Sequence, residues 1–520
     1  MATKVTYIST SLPSDEQNAA FDAAVADVRR QVGTHQLVVG GTARDGGAGA
    51  FEVTNPANRD ESLGTYAEAS EADVRDAVAA ARAAARAWSA TPYTERARIL
   101  QRAADLIRER VMFLGAVVAL EVGKNRVESV GEVEEGADLI SYYCDRLVEH
   151  HEFRTEQESQ TGEDRNASVL RPYGVFGVIS PFNFPSALAA GPIGAALVAG
   201  NTVVFKPAET TPWSGVLLAE ILHEAGVPGA ALNLVTGGPA VGKALVAAPG
   251  VDGIAFTGSY DVGREIYRTF AVGESYTRPC ITEMGGKNPA IVTATADLDK
   301  AANGILRSAF GASGQKCSAC SRVLVEERVH DALIEKLAEG AKAWTVADPV
   351  AADCRVGPVN NSEAYEKYRQ AAEDARRDGT IVAGAEVLTE GDFARGWFVA
   401  PTIVADLPAG HRLTREELFV PFVVVERAAD LEAAIAAANA QSLGLTAGLF
   451  SEDEDEKQQF LDGIEAGVVY VNRAAGATTG AWPGYQTFGG WKGSGSTGKS
   501  AFGPHYVQLF MREQSRTILP

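Results

Sequence analysis

The run from Val175 to Phe205, VFGVISPFNFPSALAAGPIGAALVAGNTVVF, sets two short apolar stretches on either side of a longer one rich in alanine and glycine. The outer stretches, Val175–Ser180 and Thr202–Phe205, have the length and β-branched content of buried strands, and Ala187–Val198 between them is long enough for a helix. Two strands joined by so long a crossover lie parallel, because an antiparallel pair needs only a tight turn. The rhythm continues downstream. Leu232–Val235 and Gly253–Phe256 read as further strands, and Ser214–Ala225 and Val241–Ala247 as further helices. The segment 169–285 is therefore expected to be a parallel sheet covered by helices on both faces.

Working outward, Glu71–Ala90 is an alanine-rich helix opened by Ser70 and Asp73 as a capping box, with Val74, Val78 and Ala81 on one face. Thr94–Arg110 and Arg126–Val148 read as two more helices, so 1–151 is expected to be a largely helical unit after an extended lead-in. A second strand and helix alternation from Pro289 to Val471 implies another α/β domain over 286–475. The polar segment 152–168 and the tail His505–Thr517 within 476–520 suit hairpin or edge strands that a second subunit would extend.

Composition narrows the partners. A chain of 520 residues exceeds one ordinary core, which implies roughly two to four domains or subdomains. The net charge of −20 repels nucleic acid and anionic lipid, so the expected partners are small molecules or copies of the chain itself. No stretch approaches the ~20 apolar residues of a membrane helix. The polar Met1–Asp15 lacks the pattern of a secretory signal, which implies a cytoplasmic protein. Five scattered cysteines, Cys144, Cys280, Cys317, Cys320 and Cys354, make a poor disulfide framework and fit a reducing compartment.

Chemistry concentrates at Gly314-Gln315-Lys316-Cys317-Ser318-Ala319-Cys320-Ser321-Arg322, which follows a helical run, Asp299–Phe310. A thiolate suits attack on an electrophilic carbonyl. Cys-x-x-Cys is equally a redox pair or half of a zinc site, although no second Cys-x-x-Cys or His-x-x-x-His completes a metal set. No Gly-x-Gly-x-x-Gly follows a strand, so the usual dinucleotide fingerprint is absent. Taken alone, Asn183 beside proline reads as a helix cap, Glu283 as a surface residue at a turn, and Phe184 and Phe488 as core packing.

Taken together, Pro181-Phe182-Asn183-Phe184-Pro185, Phe205-Lys206-Pro207-Ala208-Glu209, Phe256-Thr257-Gly258-Ser259, Glu283-Met284-Gly285-Gly286-Lys287-Asn288-Pro289, Gly314–Cys317 and Glu416-Glu417-Leu418-Phe419 stand in an order and spacing that resembles the NAD(P)-dependent aldehyde dehydrogenases. The likeness runs from about Asn55 to Thr517. It implies an α/β fold with a variant Rossmann-type NAD-binding domain, a second α/β catalytic domain and a small β extension for oligomerisation. It also implies Cys317 as nucleophile, Asn183 and the Cys317 backbone N–H as oxyanion donors, and Glu283 as base. The implied cofactor is NAD, held at Ser180, Pro181, Lys206, Glu209, Gly258, Ser259, Glu417 and Phe419. A carboxylate at Glu209 would favour ribose hydroxyls over a 2′-phosphate, and the helix after Gly258-Ser259 would face the pyrophosphate. Leu418 and Val420 depart from the family's usual residues at those positions.

Within the family, Ser318 directly after the nucleophile, Thr479-Gly480-Ala481 seven residues before Phe488-Gly489-Gly490, and Gly503-Pro504-His505-Tyr506-Val507 resemble the branch that oxidises glutamate γ-semialdehyde in proline catabolism. The resemblance implies Ser318, Gly480 and Ala481 as anchors for the substrate carboxylate and Phe184 and Phe488 as a clasp on its aliphatic middle. Set against this branch are about four extra residues before Thr479 and the bulky Trp482-Pro483. A sister enzyme for another semialdehyde or an aromatic aldehyde, and a catalytically silent NAD-binding structural protein, remain the competing readings. A homodimer or larger homo-oligomer is expected, and no metal.

Overall fold

The computed structural model describes residues 4–6, 9, 14–272 and 276–520. The run from Val175 to Phe205 folds as read, with strand Val175–Ile179, helix Ala187–Val198 and strand Thr202–Lys206. They belong to a seven-stranded sheet whose order is Cys280–Glu283, Gly253–Thr257, Val175–Ile179, Thr202–Lys206, Leu232–Leu234, Leu37–Val39, Thr42–Arg44. The first five strands are mutually parallel. Chain order reverses between Val175–Ile179 and Gly253–Thr257, and in such sheets a ligand crevice opens beyond the carboxyl ends of the strands at that reversal.

The segment before the sheet is more varied than an extended lead-in. It contains a helix, Asp15–Arg30, capped by the Ser14 side chain, and a long hairpin, Gly49–Asn55 with Asn58–Glu68. Leu37–Val39 runs antiparallel to Leu232–Leu234 and extends the first sheet. Glu71–Ala90 follows with the Ser70 and Asp73 capping box formed in both directions, and Val74, Val78 and Ala81 are buried. The helices Tyr93–Glu109 and Arg126–Glu149 flank one not foreseen, Val111–Val122, nine of whose residues are buried. Apolar but for the buried Glu121, it carries no amphipathic period to read. What was expected of 1–15 falls mostly outside the described residues.

A second seven-stranded sheet has the order Thr380–Ala383, Thr402–Ala405, Phe422–Ala428, Cys320–Glu326, Asn288–Val292, Thr446–Phe450, Val468–Val471, parallel except for its first strand. The chain leaves the first sheet at Glu283 and enters the second at Asn288, so four residues, Met284 to Lys287, bridge the two. The carboxyl ends of one sheet are thereby set against the amino ends of the other.

A small third sheet joins Thr155–Gln157, Arg165–Pro172 and Met511–Ile518, antiparallel throughout. The tail is not extended over its whole length. Tyr506–Phe510 forms a 3-10 turn because Tyr506 packs on Tyr143 at 5.1 Å and Phe510 on Phe176 at 4.8 Å. Among the described residues no helix is long and apolar enough to cross a membrane.

Candidate functional site

Four strands of the first sheet end at residues singled out above: Ile179 leads to Ser180 and Pro181, Thr202–Lys206 ends at Lys206, Thr257 leads to Gly258 and Ser259, and Cys280–Glu283 ends at Glu283. A cavity of ≈ 1060 Å³ opens there, lined by these residues together with Asn183, Glu209, Cys317, Glu417, Phe419 and Phe488. A smaller cavity of ≈ 350 Å³ is lined by Phe184, Ser318, Gly480, Ala481 and Phe488. The two share Leu188, Cys317, Phe488 and Phe502. Cys317 therefore stands where a large, mainly apolar crevice meets a small pocket, and every residue expected at the site lines one or the other.

The nucleophile loop is held under constraint. Ala312, Ser313 and Gly314 have φ of 50°, 53° and 67°, three successive left-handed residues of which only the last is glycine. Such a conformation costs of order 1–3 kcal/mol for a residue with a side chain and persists only where neighbours fix it. Here Ala312 N–H donates to the Glu128 carboxylate at 2.8 Å, the Ser313 hydroxyl donates to Gly357 O at 2.9 Å, and Gln315 Oε1 accepts from Asn360 N–H at 2.9 Å. A Cβ on Gly314 would lie 2.3 Å from Val420 O, so no other residue fits.

Asn288 acts from beneath. Its amide Nδ2 donates to Cys317 O at 2.7 Å and Ala319 O at 3.0 Å, while its Oδ1 accepts from Thr446 N–H at 3.0 Å. The residue at which the chain enters the second sheet thus fixes the nucleophile, five positions after Glu283. Gly285 and Gly286 have no positive φ; they are glycine because a Cβ would meet Glu417 Oε2 at 1.9 Å and Asn288 Oδ1 at 2.3 Å. Close approach is what they provide.

Electrostatics follow from burial. The Cys317 thiol is pushed up to about 12 by burial and then by the nearby Glu417 and Glu283 carboxylates, so it rests protonated at neutral pH. Burial pushes the Glu283 carboxyl up to about 8, and its Oε2 has no hydrogen-bond partner. Glu417 is raised to about 7, again by burial, although its Oε1 accepts from Gly286 N–H at 2.9 Å. Cys320 is a packed thiol, 1 % exposed, donating to Arg322 O at 3.5 Å.

Asn183 is 3 % exposed and donates through Nδ2 to Gln315 O at 2.8 Å, which leaves its second amide hydrogen uncommitted to that carbonyl. Its loop is anchored from behind by Glu132, whose Oε1 accepts from Ser186 N–H at 2.8 Å and whose Oε2 pairs with Lys124 at 2.6 Å; Lys124 Nζ in turn sits 3.2 Å over the Phe184 ring. Breaking one half of so buried a pair costs about 3–5 kcal/mol.

In the crevice, Lys206 Nζ donates to Pro207 O at 3.1 Å and lies 3.8 Å from the half-exposed Glu209 carboxylate. The Ser180 hydroxyl is buried without a partner. A 13-residue helix, Tyr260–Val272, begins directly after Gly258 and Ser259. An elongated polyhydroxylated anion fits this set, in which a lysine, a carboxylate, a helix start and Glu417 line one crevice. Phe419, at φ 59°, packs edge-on against Phe182 at 5.9 Å. The departures Leu418 and Val420 are 3 % and 4 % exposed and pack in the core, which leaves the Glu417 contact intact.

Of the extra residues before Thr479, Gly476, Ala477 and Thr478 are buried and Ala475 lines the small pocket. Ala477 N–H donates to Gly304 O at 2.9 Å, and the Thr478 hydroxyl donates to Ser318 O at 2.7 Å. Arg473 Nε donates to Thr479 O at 3.0 Å, fixing the loop that carries Gly480 at φ 123°. The small pocket also takes in Glu128, Glu135, Lys316 and Arg307, none of them foreseen. Glu128 and Glu135 lie seven residues apart, two helical turns, which was the one available signal that they share a face.

Comparison with known proteins agrees with this geometry. The model of the aldehyde dehydrogenase family matches residues 43–515. A 1-pyrroline-5-carboxylate dehydrogenase of Bacillus mycoides is 38 % identical over 514 residues, 97 % of each chain. The structure of 1-pyrroline-5-carboxylate dehydrogenase from Thermus with bound NAD superposes with a TM-score of 0.93 at 34 % identity, covering 100 % of this chain and 99 % of that one. An NAD-dependent aldehyde dehydrogenase from Sinorhizobium meliloti gives 0.88 at 32 % identity over 95 % and 96 %.

Proposed function

The chain belongs to the aldehyde dehydrogenase family, and from that premise we propose that it oxidises glutamate γ-semialdehyde, the open form of 1-pyrroline-5-carboxylate, to glutamate with NAD. The observation that carries this reading is the meeting of two cavities at Cys317, the larger suited to a dinucleotide and the smaller lined by Ser318, Gly480 and Ala481.

Because the thiol rests protonated, attack draws on a small thiolate fraction, assisted by Glu283; Glu417, the other carboxylate nearby, spends its Oε1 on Gly286 N–H. Sγ bonds to the aldehyde carbon while its proton passes to Glu283. The carbonyl oxygen becomes an oxyanion that takes hydrogen bonds from Asn183 Nδ2 and the Cys317 backbone N–H, an interaction worth about a hundredfold or more in rate. NAD, held by Lys206, Glu209, Glu417 and the helix start after Ser259, supplies the acceptor for the hydride that leaves this carbon. Loss of the hydride leaves a thioester on Cys317. Glu283 releases that first proton to solvent and then takes a second from water as the hydroxide adds to the thioester carbon; collapse expels the Cys317 sulfur, which regains its proton from Glu283, and the acid product ionises as it leaves.

The pH dependence follows from the raised Glu283 carboxyl. Protonated below about 8, it gains base form as pH rises. Turnover is therefore expected to climb about tenfold between about pH 7 and 9. A kcat profile that is flat across that range removes Glu283 as the base.

In the small pocket, backbone N–H groups at Gly480 and Ala481 with the Ser318 hydroxyl receive the α-carboxylate, while Glu128 and Glu135 give the wall an acidic side for the α-ammonium. Phe184 and Phe488 enclose the methylenes. Ser318→Ala is expected to lower kcat/KM for glutamate semialdehyde by about 1.5–3 kcal/mol and to leave pentanal nearly unaffected. NADH production against an aldehyde panel checks both, and comparable kcat/KM for pentanal and the semialdehyde would leave only a general aldehyde dehydrogenase.

Glu209 makes the crevice unfavourable for a 2′-phosphate. Glu209→Gln is expected to shift the NADP to NAD ratio of kcat/KM upward by about tenfold, and an unchanged ratio would show that selectivity lies elsewhere. We place the enzyme in the cytoplasm as a homo-oligomer joined through the small third sheet, which sedimentation of the purified chain tests; a monomer would contradict it.

A further inference from the structure

Lys4, Val5, Thr6 and Ser9, none of which the reaction uses, link Trp482 to the small pocket. Val5 is 2 % exposed and packs in the main core. On one side of it Lys4 pairs with Asp138, and the same Asp138 Oδ2 accepts from Trp482 Nε1 at 2.7 Å while Oδ1 takes Arg108 Nη2 at 3.0 Å. Lys4 Nζ lies 5.4 Å from the centre of the Trp482 ring. On the other side Ser9 O accepts from Arg307 Nη2 at 3.3 Å, and Ser9 and Thr6 are joined by a hydrogen bond from Ser9 N–H to Thr6 O at 2.9 Å. Thr6, Ser9 and Arg307 all line the small pocket.

We propose that Thr6 and Ser9, fastened by Lys4 to Asp138 and Trp482 and by Ser9 to Arg307, form the outer wall of the substrate pocket and set the length of aldehyde it admits. The assignment of that pocket to substrate rests on the function proposed above. Its volume of ≈ 350 Å³ sits at the low end for small-molecule sites, so one displaced wall changes what fits. Both fastenings are side chain to side chain or side chain to carbonyl, and the bulky Trp482 is the residue that stands in place of a smaller one next to Ala481. The tryptophan thus ties the loop bearing Gly480 and Ala481 to the segment that bounds the pocket, through one shared carboxylate.

The test is a chain-length profile of kcat/KM from propanal to octanal, measured with Lys4→Ala, Trp482→Phe and the double variant at saturating NAD. Lys4→Ala removes the ion pair at a half-exposed position, and Trp482→Phe keeps the ring but loses the N–H to Asp138. The expected result is a relaxed profile, with octanal gaining about tenfold relative to propanal in the double variant and the KM for NAD unchanged. Profiles parallel to the parent's in all three variants, whatever their absolute rates, overturn the wall. If the profile relaxes but glutamate semialdehyde is no better than pentanal for the parent enzyme, the wall stands and the substrate assignment falls.

Discussion

Cys317→Ala is expected to lower dehydrogenase turnover by more than about four orders of magnitude while NAD binding and the unfolding temperature stay near those of the parent. The sulfur is the reacting atom at the junction of the two cavities, and removing it opens space in a cavity rather than in the packed core. The constraints on the loop act through Glu128, Gly357, Asn360 and Asn288, and none of them touches the sulfur. Cys320→Ala is the control, since that thiol is buried and spends its hydrogen on Arg322 O. Turnover measured as NADH formation, beside NAD titration by fluorescence, separates the two variants. Equal loss in both would mean that Cys317 and Cys320 work as a pair.

Glu283→Gln is expected to slow release of the thioester by about 10²–10⁴ and to convert linear NADH production into a burst followed by a slow steady state. Two effects oppose one another in the first half of the reaction. The base is lost, but so is one of the carboxylates that holds the Cys317 thiol up, and thiols add to aldehydes with only a small thiolate fraction. Water has no such alternative in the second half, because its proton must be taken as it adds. Stopped-flow NADH traces distinguish the phases. If the burst rate falls as far as turnover does, Glu283 serves some other step.

Much of the scaffold was legible because it is local. The strand, helix, strand run from Val175 fixes its own bounds by length and composition, and Ser70 with Asp73 announces a helix start. Pairings between distant segments left no such mark. Leu37–Val39 joins the first sheet through Leu232–Leu234, far along the chain, and three residues are too few to show alternation. Val111–Val122 is apolar but for the buried Glu121, and Tyr506–Phe510 curls because of aromatic contacts made elsewhere in the chain.

At the site, many of the residues that line the cavities were legible and those that support them were not. Cys317, Glu283, Asn183 and the crevice residues carry reactive or charged groups in distinctive surroundings. Asn288, Thr478, Lys124 and Glu132 do their work through hydrogen bonds to backbone or through buried charge. Their importance emerges only once the fold brings Ser318 O to Thr478 and Cys317 O to Asn288. At Gly285 and Gly286 it is crowding by Glu417 and Asn288 that excludes a side chain, a contact that the motif does not display.

The bridge from Glu283 to Asn288 also bears on movement between the two sheets. Five residue steps span at most about 18 Å, and both ends are pinned: Glu283 pairs with Gly495 and Met284 N–H donates to Ser494 O at 2.8 Å, while Asn288 is tied to the nucleophile loop and to Thr446. Separating the two sheets at this crossing would disturb Glu283 and the loop of Cys317 together.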